Sequence, residues 1–132
     1  MANEFASRDL SACEILIMKS IWDHEDDIQL KDLMETLRTR YDKDYARTTV
    51  ATFLSRLAAK GYIETYRQGR VSFTHAVKQM EEYLNIMFNE EADFWFDNNL
   101  EAMIAALCTA VHVTKADAEA LKRVIDRVAS ES

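Results

Sequence analysis

A chain of 132 residues has room for one domain, or for one domain carrying an oligomerisation arm. With 48% hydrophobic residues, 30% charged residues, 2 Gly and no Pro, it reads as a helix-rich globular protein rather than a disordered chain or a β-sandwich. No apolar run approaches the roughly 18 residues of a membrane span, and residues 1–8 lack the basic and then apolar order of a leader, so a cytoplasmic protein with no membrane partner is expected.

The net charge of −7 is unevenly distributed. Residues 1–78 carry 12 Lys and Arg against 12 Asp and Glu, whereas residues 79–132 carry 4 against 11. Within 38–70 there are 8 cations and only 3 carboxylates, a basic middle whose local field is what a polyanion would meet.

In chain order, Ser11-Ala12-Cys13-Glu14 reads as a capping box, with Leu10 and Ile15 at the staple positions. Ile15, Met18, Ile21 and Trp22 then repeat at helical spacing, until the charged turn His24–Asp27. Ile28-Gln29-Leu30 is a candidate extended piece before a second helix striped by Leu30, Leu33, Met34 and Leu37. A third helix is predicted from Arg47 to Lys60, stopped by Gly61. Its inner stripe is Val50, Phe53, Leu54 and Leu57, and Thr48, Thr49, Thr52 and Arg56 fall opposite. Tyr62–Tyr66 and Arg70–Thr74 alternate as strands around an Arg67-Gln68-Gly69 turn, which makes a two-stranded hairpin. Helical pattern resumes at Gln79. Asp97 is the expected cap of a helix through Leu107, and Thr114 the cap of a last helix with Leu121, Val124, Ile125 and Val128 inward.

The fold class expected is therefore mostly α with a small β-hairpin: a winged helix–turn–helix in residues 1–78, then a helical dimerisation arm in 79–132. A recognition helix offers short polar groups to base edges and flanking cations to phosphates. Thr48, Thr49 and Thr52 supply hydroxyls and methyls, and Arg56 lies one turn further on. Lys43 and Arg47 flank the helix start, and Arg67 and Arg70 sit at the hairpin turn, placed for the DNA backbone or a minor groove.

The stretches Leu10–Trp22, Arg47–Ile63 and Gly69-Arg70 resemble the penicillinase-repressor family, the BlaI, MecI and CopY type of winged-helix regulator. Glu14, Met18 and Trp22 match its first-helix pattern. Thr49, Val50, Thr52, Leu54, Arg56, Leu57, Lys60 and Gly61 match that of its recognition helix. The similarity covers about residues 8–128. It implies a dimeric repressor that contacts double-stranded DNA through Thr48, Thr49, Thr52 and Arg56. Two inducer chemistries of the family find no counterpart here. Its Asn–Phe cleavage bond falls at Ala106–Leu107, and its Cys-x-Cys pairs are missing from Arg127–Ser132. Thr74-His75-Ala76 likewise stands where the family often has Tyr-x-Pro. The inducer or protease that would release the protein stays open.

No cofactor or metal is expected: His24, His75, His112, Cys13 and Cys108 lack the short paired spacing of zinc ligands. The two cysteines are expected as buried free thiols. No phosphate loop or nucleophile elbow is present, so no enzyme activity is expected. The arm carries more large apolar groups than about fifty residues can bury alone: Tyr83, Leu84, Met87, Phe88, Phe94, Trp95, Leu100, Met103, Ile104, Leu107, Leu121 and Ile125. A homodimer interface is the expected cover, with a small-ligand pocket as the alternative for the Phe94-Trp95-Phe96 cluster. The competing reading of the whole chain is a protein-interaction winged helix whose acidic arm docks a protein partner.

Overall fold

The computed structural model describes residues 9–132; residues 1–8, on which the reading of a leaderless N-terminus rests, lie outside them. The described chain forms two compact units, one ending at Phe88 and one of Asn89–Ser132.

The first unit opens with α1 (Ala12–Asp23), which the Ser11–Glu14 capping box starts as expected. A short strand β1 (Ile28–Gln29) leads into α2 (Leu30–Tyr41), and α3 (Arg47–Ala59) follows a five-residue turn. Strands β2 (Ile63–Gln68) and β3 (Val71–Ala76) form the hairpin, and α4 (Met80–Phe96) begins beyond it. The sheet has three strands rather than two, in the order β1-β3-β2, all antiparallel. Ile28 pairs with Thr74 and Gln29 with Phe73, so the extended piece after α1 becomes an edge strand, its backbone groups satisfied by the hairpin. Three helices closed by this small sheet make a winged helix.

Ile17, Met18, Leu33, Leu37, Val50 and Leu57 are fully buried, and Ile28, Tyr62 and Ile63 close the core toward the sheet. Ile15 departs from the expected pattern. It is 43% exposed, and Ile17 takes the inward position, because the buried arc of α1 is set by where α2, α3 and β3 lie against it. Phe53 and Phe73 are only partly buried.

One buried charge braces this core. Lys60, at the end of α3, donates to both carboxylate oxygens of Glu14 at 3.0 and 3.1 Å and reaches the Asp9 carbonyl as well. Burial alone would raise the Glu14 carboxyl, but hydrogen bonds from the Ser11 amide, Lys60 and the Ser11 hydroxyl outweigh it and hold the group below its ordinary value. At the other end of α1, Trp22 donates its indole N–H to the Lys78 carbonyl at 2.8 Å and meets the Tyr83 ring at 5.5 Å. The opening turns of α4 thus pack as part of the first unit.

In the second unit α4 ends on two left-handed residues, Asp97 (φ 49°) and Asn98 (φ 61°). Asn99, not Asp97, caps α5 (Leu100–Ala110), accepting from the Ala102 amide at 3.1 Å. Asp97 is already spent closing α4, its amide donating to the Asp93 carbonyl. Thr114 caps α6 (Lys115–Ser130) in a second capping box, with Asp117 reaching back. The apolar stripe of α6 forms as predicted, but Leu121, Val124, Ile125 and Val128 are 41–55% exposed, and no residue of α5 or α6 is buried in the chain. Both cysteines are free and half-buried rather than fully buried. Among the described residues no helix is long and apolar enough to cross a membrane.

Candidate nucleic-acid interface

The turn before α3 determines how that helix is presented. Asp42 takes the left-handed conformation (φ 55°) that ends α2, and the Lys43 amide bonds back to Leu37. Tyr45 then locks the turn from two sides: its hydroxyl lies 2.9 Å from Cys13 Sγ, and its ring lies 6.0 Å from that of Phe53. The bond with Cys13, and then partial desolvation, raise the Tyr45 phenol. Ala46 is the N-cap of α3 and offers no side-chain acceptor, and the first turn carries no carboxylate. The leading amides of α3 are therefore open to an external anion.

Val50, Leu54 and Leu57 turn inward, which puts Thr48, Thr49, Thr52 and Arg56 on the exposed face. Thr52 donates its hydroxyl to the Thr48 carbonyl at 3.0 Å, leaving a methyl group and the oxygen lone pairs to face outward. Arg56 carries its guanidinium 5.8 Å from the Phe53 ring centre, a cation–π contact that steadies a long side chain on an otherwise small-polar face.

The hairpin turn sits one step later than expected. Arg67 and Gln68 belong to β2, paired with Ser72 and Val71, and Gly69 and Arg70 make the turn. Gly69, at φ 63°, holds the first central position, where two-residue hairpins of this hand need a residue without a Cβ. Arg67 donates across the turn to the Arg70 carbonyl at 3.3 Å, so both cations stand at the wing tip. Behind them Tyr66 stacks on Phe73 at 5.4 Å, and Asp27 accepts from Tyr66 and lies 2.8 Å from His75 Nδ1. The Tyr66 bond, and then the His75 one, hold the Asp27 carboxyl below its ordinary value.

Arg47 and Arg70, far apart in sequence, line one cleft of about 200 Å³ together with Gln29, Leu30, Lys31, Val71 and Ser72. Lys43 is exposed in the α2–α3 turn and is not among the residues of this cleft. Sequence reasoning passed over Lys31, Gln29 and Ser72. A single Lys at a helix start carries no signal until the wing is folded beside it.

The apolar residues expected in the arm divide between the units. Tyr83, Leu84 and Met87 are half-buried on the first part of α4, where Tyr83 packs on Trp22 and, at 6.4 Å, on Tyr62; Phe88 is exposed. In the second unit Phe94, Trp95, Leu100, Ile104, Leu107, Leu121 and Ile125 are exposed and Met103 is half-buried. Phe94 and Trp95 pack edge to face at 4.8 Å.

Residues 10–127 match the family model described as Penicillinase repressor. Among solved structures, the solution structure of the DNA-binding domain of the repressor BlaI is similar at 25% identity and a TM-score of 0.49, over 60% of this chain and 93% of that one. A comparison with curated proteins gives no match.

Proposed function

Because the chain belongs to the penicillinase repressor family, a family of transcriptional repressors, we propose that it represses transcription as a homodimer on a palindromic operator. The observation that carries the DNA reading is the outward face of α3. Three hydroxyl side chains and one arginine stand exposed on a helix whose start has neither a side-chain cap nor an acid. Short polar groups suit base edges in a major groove, and the open amides with flanking Arg47, Arg67 and Arg70 suit phosphates. Lys43 joins this set as a flanking cation. Along the chain the acidic excess falls in residues 79–132, outside the basic stretch 38–70.

The homodimer rests on the second unit. Trp95 is 63% and Leu100 67% exposed, and Leu107 and Ile125 are exposed as well. A two-fold copy covers such a surface with itself, and a dimer would set two recognition helices about 34 Å apart, one turn of DNA.

The test is selection of duplexes from a fragmented genomic library with the purified protein, followed by titration of the recovered duplex and a scrambled one. Recovery of one palindromic sequence, bound far more tightly than the scramble, is the expected result. Equal affinity for both, or recovery of no enriched duplex, would favour the protein-docking reading instead.

A further inference from the structure

We propose that Lys31, Arg47 and Arg70 form one seat for a single DNA backbone phosphate; this rests on the reading of the chain as a DNA-binding repressor and adds Lys31 and Ser72 to its contacts. The three cations come from three elements: Lys31 from α2, Arg47 from the first position of α3, and Arg70 from the wing turn. They line the same cleft of about 200 Å³, and no carboxylate lines it. None of the three makes an ion pair with another described residue, although Asp23, Glu14 and Asp27 all find cationic or histidine partners elsewhere in this unit.

Three like charges around one small cleft repel one another, and an anion entering it removes that cost. The cleft has no aromatic wall on which a base could stack. One phosphodiester group, with its non-bridging oxygens, matches the donor set of three cations and a hydroxyl. Ser72 supplies a hydroxyl on the strand side of the cleft, and its partner in the hairpin register is Arg67. The seat adjoins the start of the recognition helix, so a phosphate held there fixes how far α3 enters the groove. A wing tied by Arg70 to the same phosphate as α3 would set the wing and the helix in register on the duplex.

The experiment is a scan of the operator recovered above, in which one phosphate at a time is replaced by an uncharged methylphosphonate. It is bound by the wild-type chain and by Lys31→Ala, Arg47→Ala and Arg70→Ala. Each substitution is expected to weaken the unmodified duplex about tenfold, the scale of one charge-assisted hydrogen bond. All three losses should vanish at the same methylphosphonate position, because groups sharing one partner are not additive. Lys31→Arg should keep most of the wild-type affinity. If the three variants become silent at three different phosphates, or if Lys31→Ala binds as wild type, the shared seat is overturned while the DNA reading stands. If the wild-type chain prefers no duplex, both fall. Displacement of the duplex by micromolar inorganic phosphate at constant ionic strength would assign the seat to a free anion and overturn its assignment to DNA.

Discussion

Thr49 and Thr52 are the sharpest test of the proposed base reading, because they are exposed on a helix whose other face, Val50, Leu54 and Leu57, is buried in the core. Replacing either by Ala removes a group that touches no core residue, so thermal unfolding should be unchanged. Affinity for the operator should fall by about 1–3 kcal/mol per base contact, with binding to scrambled DNA unaffected. Titration of both variants against both duplexes checks this, and two variants with wild-type discrimination would remove α3 as the reading helix. Glu14 poses a stability question instead. Its native pKa is depressed, so the stability it contributes is present above the ordinary glutamate value near 4.3 and is lost as pH falls through the lower native value. Glu14→Gln should cost about 1–3 kcal/mol near neutral pH, the worth of hydrogen bonds to a charged group. The gap in melting temperature from the wild type should narrow as pH falls from about 6 to about 3. A gap constant across that range would mean that the bonds from the Ser11 amide and Lys60 do not hold the Glu14 carboxyl down.

At the scale of elements, the wing turn and the start of α3 line one cleft. Arg67 lies within β2 opposite Ser72 and reaches over the turn to Arg70, so its charge is held at the wing tip by backbone pairing rather than by a loose loop. On the proposed reading, a cation held this way would meet phosphate regardless of sequence. Arg67→Ala should therefore weaken specific and scrambled duplexes alike and lower the slope of log affinity against log salt by about one. A changed sequence preference with the slope intact would make the wing a reader of bases. The shift of the turn by one step, from Arg67-Gln68-Gly69 to Gly69-Arg70, follows from register: with Tyr66 opposite Phe73, only Gly69 and Arg70 remain to close the hairpin.

For the whole molecule, the contrast between the two units predicts association. The first unit buries its core completely at Ile17, Leu33, Leu37, Val50 and Leu57, whereas no residue of α5 or α6 is fully buried. Burying a large aliphatic side chain is worth about 1.5–3 kcal/mol, so the exposed faces of Leu100, Leu107 and Ile125 represent a substantial drive toward a second copy. Full-length protein should scatter light as a dimer at micromolar concentration, and Leu107→Glu combined with Ile125→Glu should give a monomer that keeps its helicity. A wild-type monomer, or a dimer unmoved by both charges, would place the interface elsewhere.

Much of this was legible before folding because it depends on local chemistry. Capping boxes at Ser11 and Thr114 need only a hydroxyl and an acid three residues apart, and both form. The stripe of Val50, Leu54 and Leu57 with threonines opposite follows from a period of 3.6, and with it the face that α3 presents. What periodicity could not decide was anything resting on a partner distant in sequence. Ile28-Gln29 is a strand only because β3 lies beside it, and Ile15 yields its place in the core to Ile17 because neighbouring elements choose the buried arc of α1. Asp97 and Asn99 are both plausible caps by residue type; the left-handed ending of α4 assigns the cap to Asn99. The cleft of Lys31, Arg47 and Arg70 has no signature along the chain at all. Charges separated by 16 and 23 residues meet only when the hairpin folds back against the start of α2, and it is tertiary packing that turns three scattered cations into one place for an anion.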